Sequence, residues 1–484
     1  MENNTLRFVL DGRITEIDFV KENILPSTTV LNYLRSLHGH TGTREGCAEG
    51  DCGACTVVVA EAHHNTIRYK AVDSCLLFLP AIHGKQLITV ENLAIRNPSE
   101  DGLHPVQKAL VTSYGSQCGF CTPGIVMALF AMYKNQIQPS RENMIQCLTG
   151  NLCRCTGYQP IYEAASAALE KPQADHFSAN ENHTLGLLTE IRNKGMSLII
   201  RHPSQTYFLL ESIEEALKIR RLYPNAIVVN GATDTAIRQN KTHQYPGCIL
   251  DISAVPALKQ WNKESGGWYI GSGVSIENLK HIAGEYLQWL MPILDVFASW
   301  QIRNVATLGG NLATTSPVGD LIPLLIASKA KVRIISENDA RWAGMDDFIT
   351  GYRTNCLASD ELIAGILIPL PEPGTLLLSE KISSRKHLDI STLSLTMRIL
   401  LSDNNIVEDI LLAYGGMADR PKRASAAENF IKGKKWEHET IEKAIPHLEN
   451  DFAPISDARA GADYRRLASA NLLRKLFLKS TGEL

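Results

Sequence analysis

Eight of the eleven cysteines fall into two tight patterns, and those patterns constrain this 484-residue chain more than any other feature. Cys47, Cys52 and Cys55 lie in REGCAEGDCGACTVVVAE, and Cys75 follows after nineteen further residues. C-x4-C-x2-C with a distant fourth cysteine is the spacing of a plant-type [2Fe-2S] loop. The glycines have a reason there, because Gly46, Gly50 and Gly53 free the loop of Cβ clashes and let backbone amides turn toward a sulfide core. Zinc is the competing reading, but zinc knuckles pair their thiols as C-x2-C, and here four residues split the first pair. The second pattern is Cys118-Gly-Phe-Cys121, thirty-one residues, then Cys153-Arg-Cys155. Its spacing alone leaves zinc a fair competitor, although its helical surroundings allow the thiols to converge at helix ends. Cys147 shares a helical face with Met144 and Leu148 and reads as packing, as do the isolated Cys248 and Cys356.

The net charge is −3 and no Lys/Arg block stands out, so nucleic acid is not an expected partner. The longest apolar stretches, such as Gly124 to Tyr133, fall short of the roughly 18 residues a membrane span needs. MENNTLRFVLDG has no basic region followed by an apolar one, so no secretory signal is read and a cytoplasmic protein is expected. In a reducing compartment clustered cysteines point to metal or redox chemistry and away from disulfides.

Along the chain, LRFVL and ITEIDFV flank the Asp11-Gly12 turn as a hairpin, and a short helix, the cysteine loop, TVVVA and LITV follow. From His104 the period becomes helical, with helices opened by Pro105, by Thr122-Pro123, by Ser140 and by Gln159-Pro160. Residues 171–195 are polar without a sustained period and read as a linker. Helices and strands then alternate to about residue 373, and three strands followed by helices close the chain. The expected domains are 1–95, a ferredoxin-like β-grasp; 96–170, a helical [2Fe-2S] bundle; 196–373, a two-subdomain FAD-binding α+β domain; and 374–484, an α+β C-terminal domain. The whole is a multidomain α+β protein.

A Rossmann fingerprint is not present: in GSGVSI, Ile276 stands where the third glycine is required. Two other glycine segments are better placed for a nucleotide. VVNGATD, Val228 to Asp234, follows a strand, and TLGGNLATTSPVGDL, Thr307 to Leu321, offers Gly309 and Gly310 for backbone approach to a pyrophosphate. Thr314 and Ser316 supply hydroxyls there, and Asp320 is an acceptor for ribose or ribityl hydroxyls. As bare patterns both segments also read as tight turns.

EGDCGACTV, QCGFCTPG, LCRCTGY and TLGGNLATTSPVGDL together resemble the iron-sulfur and flavin regions of the xanthine dehydrogenase family of molybdenum hydroxylases. The resemblance implies a ferredoxin-like domain holding one [2Fe-2S] cluster on Cys47, Cys52, Cys55 and Cys75, and a helical domain holding another on Cys118, Cys121, Cys153 and Cys155. It implies that FAD is held by Val228, Val229, Asn230, Gly231, Ala232, Thr233, Asp234 and Thr235, and by Thr307, Leu308, Gly309, Gly310 and Asn311. Thr314, Ser316, Asp320, Ile363 and Lys381 complete that site, and Phe297 lies against the isoalloxazine ring. Tyr352 and Asp389 are placed near the nicotinamide by the same resemblance. Leu388 departs from it, standing where animal members carry a second acidic residue.

No part of the chain resembles the family's molybdopterin domain, so the resemblance implies the FAD and iron-sulfur small subunit of a xanthine dehydrogenase. Its partner would be a large molybdopterin-binding subunit, in a heterotetramer of two small and two large chains, with NAD+ as acceptor. Two other readings are the same relay serving an aldehyde or heterocyclic-carboxylate hydroxylase, and a stand-alone NADH-dependent iron-sulfur flavoprotein reductase. A zinc scaffold is the third.

Overall fold

The computed structural model describes residues 3–95, 102–170 and 174–484. The opening residues of the expected helical unit, 96–101, and of the expected linker, 171–173, lie outside the described residues. Two compact units form, one of Met1–Ile219, Tyr223–Val255 and Ser299–Ala306, the other of Arg220–Leu222, Pro256–Ala298 and Thr307–Leu484.

In the first unit, β1 (Thr5–Leu10) and β2 (Arg13–Asp18) form the expected hairpin, with Leu10 opposite Arg13. Asp11 (φ 51°) and Gly12 (φ 74°) both take the left-handed conformation that a tight two-residue hairpin turn requires. After α1 (Val30–Ser36), capped by the Thr29 hydroxyl, come β3 (Thr56–His63), β4 (Thr66–Asp73) and β5 (Gln86–Ile88). The sheet order is β2-β1-β5-β3-β4, with β5 parallel to β1: a mixed β-grasp sheet. Leu6, Phe8, Val57 and Val59 alternate inward and close on Val30, Leu31 and Leu34 of α1.

Four helices follow: α2 (Pro105–Thr112), α3 (Thr122–Lys134), α4 (Arg141–Leu148) and α5 (Gln159–Leu169). Every residue of α3 from Gly124 to Tyr133 is buried, so this central helix is apolar all round. Cys147 is buried in the same core, beside Met144 and Leu148. Asp175 anchors the bundle, accepting hydrogen bonds from Lys134 at the C-terminal end of α3 (2.7 Å) and facing His104, the cap of α2, at 3.0 Å.

Residues 171–195 correct the sequence expectation of an unstructured linker. They contain α6 (His176–Ala179) and α7 (Glu181–Asn193). Thr184, Leu188 and Ile191 are buried at helical spacing, and the last two pack on Val9. Two buried aliphatic residues and one threonine among polar neighbours make a weak pattern, yet burying Leu188 and Ile191 contributes about 2 kcal/mol each.

The chain then forms β6 (Leu198–His202) and β7 (Gln205–Leu209), α8 (Ile213–Leu222), β8 (Ile227–Val229), α9 (Thr233–Thr242) and β9 (Cys248–Asp251). These strands make a sheet in the order β6-β7-β9-β8, parallel from β7 onward. The second unit holds a five-stranded antiparallel sheet built on Leu362–Pro369 and a four-stranded antiparallel sheet built on Leu393–Leu401 and Val407–Gly415. The 20-residue helix Ala462–Thr481 buries Leu472, Leu473 and Leu476 against Leu395, Met397 and Tyr414 of the latter. No described helix is long and apolar enough to cross a membrane.

Candidate functional site

The first cysteine loop enters β3, whose hydrogen-bonded start fixes Cys55, while Cys75 follows the end of β4. The Cys55 and Cys75 thiols lie 3.3 Å apart, both 2 % exposed. Ser74 ties the two strand ends together, its hydroxyl donating to the Cys55 carbonyl at 2.6 Å. Cys47 and Cys52 form a second contacting pair. The Cys52 thiol, together with the backbone N–H groups of Glu49, Asp51 and Cys52, holds Cys47 down at about 5, and the same contact pushes Cys52 up. Cys55 is pushed up by Cys75 and by burial. A side chain at Gly46 would put its Cβ 2.8 Å from the Cys52 sulfur, so the glycine is the space the thiol occupies.

The second set sits at helix ends. The structure makes Cys121 the N-cap of α3, one residue earlier than the expected Thr122 cap; the Thr122 hydroxyl instead meets Ser116 at 2.7 Å. Cys118 and Cys155, both exposed, approach to 3.6 Å, and Cys121 contacts the buried Cys153. Tyr158, in the left-handed conformation (φ 65°), turns its hydroxyl back to accept from the Cys153 amide at 2.8 Å.

In each set the thiols thus meet two by two. A tetrahedral zinc brings four thiolates around one centre, whereas a [2Fe-2S] core with four cysteine ligands takes two thiolates on each of two irons. The donor sets fit the cluster.

Several residues with no motif of their own bind these loops. Asn240 on α9 donates to the carbonyls of Cys75 (2.9 Å) and Ala48 (3.1 Å), and Lys241 donates to that of Cys47 (2.8 Å). Asn151, two residues before Cys153, donates to Gly53 O at 3.0 Å, and Leu152 N–H donates to Cys52 O at 3.0 Å. A Gly-Asn step ending two residues before Cys153 was the available signal for Asn151. Nothing in the local sequence marks Asn240.

Of the flavin segments, Val228 and Val229 end β8, and Gly231 (φ 93°) and Ala232 (φ 58°) turn the chain into α9. A Cβ at Gly231 would lie 2.1 Å from Val305 O, which excludes any other residue there. Thr233, Asp234 and Thr235 form the first turn of α9.

The second unit holds the rest. Thr307 caps the helix Leu308–Thr314, its hydroxyl accepting from Gly310 N–H at 3.1 Å. Leu308 N–H donates to Val274 O and Gly309 N–H to Ser272 O. The Gly309 and Gly310 N–H groups both have partners within the unit, and Gly309 is small because a Cβ would lie 2.5 Å from Ser272. Asn311 and Thr314 belong to the same helix, and Ser316 follows it. Asp320 and Lys381 form a buried ion pair at 2.7 Å, with the Ser391 hydroxyl on the other carboxylate oxygen. Phe297 and Ile363 are buried, while Tyr352 is 63 % exposed. Asp389 accepts from the Arg385 backbone and guanidinium at 2.7 and 2.6 Å. Leu388 beside it takes φ 73°, costly for a leucine.

Comparison with known proteins agrees with this geometry. Residues 202–371 match the FAD binding domain in molybdopterin dehydrogenase, residues 379–480 the CO dehydrogenase flavoprotein C-terminal domain, and residues 89–166 a [2Fe-2S] binding domain. The xanthine dehydrogenase of Emericella nidulans is 32 % identical over 93 % of this chain and 36 % of its own length; xanthine dehydrogenase 1 of Arabidopsis thaliana is 31 % identical over 94 % and 38 %. The chain therefore spans well under half the length of the relatives it matches. Among solved structures, carbon monoxide dehydrogenase of Hydrogenophaga pseudoflava superposes with a TM-score of 0.53 at 24 % identity, over 56 % of this chain and 94 % of the other. Quinoline 2-oxidoreductase of Pseudomonas putida 86 gives 0.53 at 22 %, over 58 % and 98 %. At these identities the likeness is one of fold.

The class is thus a flavin and iron-sulfur protein, with [2Fe-2S]-binding and FAD-binding domains. More narrowly, the chain belongs to the xanthine dehydrogenase family of molybdenum hydroxylases, of which it carries the iron-sulfur and flavin part.

Proposed function

We propose that this chain is the electron-transfer part of a xanthine dehydrogenase, working with a large molybdopterin-binding partner in a heterotetramer of two chains of each kind. Xanthine or hypoxanthine is oxidised on the partner, NAD+ is the final acceptor, and the complex is cytoplasmic. Cys118, Cys121, Cys153 and Cys155 hold the cluster that receives electrons first, and Cys47, Cys52, Cys55 and Cys75 hold the second. The chain divides functionally at 1–95, 96–170, 171–195, 196–373 and 374–484. When bound, the clusters supply one-electron carriage and FAD the exchange between single electrons and a hydride.

The residues do the rest. In the first loop the amides of Glu49, Asp51 and Cys52 surround Cys47, and Asp51 N–H, 3.3 Å from the Cys47 sulfur, would steady the charge of a ligand thiolate there. Phe297 gives an apolar wall for the isoalloxazine, and the Asp320–Lys381 pair presents fixed charge to the flavin. The segments Val228 to Thr235 and Thr307 to Asn311 contact the pyrophosphate and adenosine. Tyr352 and Asp389 border the nicotinamide site; Asp389 is held by Arg385 and bounds the choice of acceptor.

The observation that carries the reading is the two-by-two meeting of thiols in both loops. Co-purification with metal analysis tests it. A stable complex containing molybdenum, iron and FAD that reduces NAD+ with xanthine is the expected result; a lone chain with full NADH-driven activity on a physiological acceptor refutes it. Turnover of an aldehyde or heterocyclic carboxylate in place of xanthine would reassign the substrate and leave the relay intact.

A further inference from the structure

The two cysteine loops touch through a buried polar network to which a third segment contributes the innermost side chain. Gln301, wholly buried, donates to Asn151 Oδ1 at 2.7 Å. Asn151, 2 % exposed, donates in turn to Gly53 O at 3.0 Å and to the Thr56 hydroxyl at 3.1 Å; that hydroxyl closes the ring on Gly53 O at 2.7 Å. Gly53 and Thr56 flank Cys55, and Asn151 leads through Leu152 to Cys153. Alongside runs the Leu152 N–H bond to Cys52 O, 3.0 Å. Cys52 in one loop and the residue before Cys153 in the other are therefore joined by a single hydrogen bond.

The contact is shaped to be close. A Cβ at Gly53 would stand 2.2 Å from Gly150 O, one at Gly124 would stand 2.0 Å from Gly53 O, and one at Gly150 would stand 2.2 Å from Gln301 Oε1. Around Gln301, the neighbouring Trp300 enters the core of the helical bundle, and Ile302 packs on the core of the β-grasp sheet. The Asn304 amide donates to Ala71 O on β4 at 2.8 Å. A short segment of flavin-domain sequence thus touches both iron-sulfur folds, with its polar side chain on the loop junction.

We infer that Gln301 and Asn151 are positioning residues that clamp the two cysteine loops at a fixed separation, holding the Cys52–Leu152 hydrogen bond as the bridge for electrons between the two sites. This rests on the reading that each loop holds a [2Fe-2S] cluster. A polar network this deeply buried is costly where a group goes unpaired, as Gln301 Oε1 does among the described residues, and the ring that does close, from Gln301 Nε2 through Asn151 to Gly53 O and Thr56, suits a junction whose geometry sets a rate. Tunnelling across a hydrogen bond and backbone falls steeply as that contact opens.

The test uses the full chain with its clusters, as Gln301→Met, which keeps length and shape without the amide, and as Asn151→Ala. Both variants are expected to retain the iron of the wild type. Amide exchange protection at Leu152 falls about tenfold in each, the factor that one buried hydrogen bond supplies. The magnetic splitting between the two reduced clusters in electron paramagnetic resonance weakens, and electron equilibration between them after photoreduction slows about tenfold. The double variant loses little more than either single one, since the residues act as one unit. Unchanged Leu152 protection, splitting and equilibration in both variants overturns the inference. A wild-type chain that binds iron at one loop only overturns the relay reading instead, and Leu152 exchange, which needs no iron, still decides the clamp.

Discussion

The two cysteine sites share a ligand count and differ in nearly everything that surrounds it. The first is a loop made by backbone: Ala48, Gly50 and Gly53 in left-handed conformations, amides directed at sulfur, two of its thiols 2 % exposed, and carbonyls gripped from α9. The second is made by helix ends, with Cys121 capping α3 and the paired Cys118 and Cys155 open to solvent beside the exposed Phe120 and Tyr114. A loop must be specified residue by residue, whereas a helix end is specified by the bundle behind it. The first site is therefore expected to be intolerant of backbone change and the second tolerant.

The largest effect that probes this contrast comes from removing a ligand. Cys55→Ser should lower iron from about four to about two per chain and abolish one of two cluster signals, while Cys155→Ser removes the other signal. Loss of both signals from either change would show that the sites are not separable. Next, Gly53→Ala should destabilise the first unit by about 3 kcal/mol or more, since the methyl meets Gly150 O and φ is 67°. Gly119→Ala, equally left-handed (φ 77°) but facing open space, should cost about 1 kcal/mol. Chemical denaturation of the two variants side by side measures the difference, and equal costs would break the comparison.

A smaller effect concerns what holds the second site's helices. Burial would raise the Asp175 carboxyl, but hydrogen bonds from His104 and Lys134 and the Ser178 amide outweigh it and hold it below the ordinary range. A group depressed on folding contributes stability above its unfolded pKa of about 3.9 and loses it as pH falls below that toward the folded value. Asp175→Asn should cost about 1–2 kcal/mol at pH 7 and flatten the acid limb of the stability curve below pH ~4. An unchanged acid limb, followed by thermal unfolding across pH, would contradict the anchor role.

Sequence and structure agree where information is local and diverge where it is not. The Asp11-Gly12 hairpin, the Ser140 cap and the cysteine spacings are decided by neighbours a few residues apart, and all were legible. The helix Glu181–Asn193 escaped because three buried residues in thirteen give little period, and its partner Val9 lies far away in sequence. Gly309 has a second demand on it that was not legible for a related reason: its close packing on Ser272 depends on a residue 37 positions earlier. Gln301 carries no motif at all, because its meaning lies in Asn151, 150 positions earlier.

The most direct measurement of the central claim is metal analysis of the purified chain combined with electron paramagnetic resonance after reduction. Two distinct [2Fe-2S] signals with about four irons per chain are the predicted result. Zinc in the second set, or a single signal at full iron loading, would contradict it.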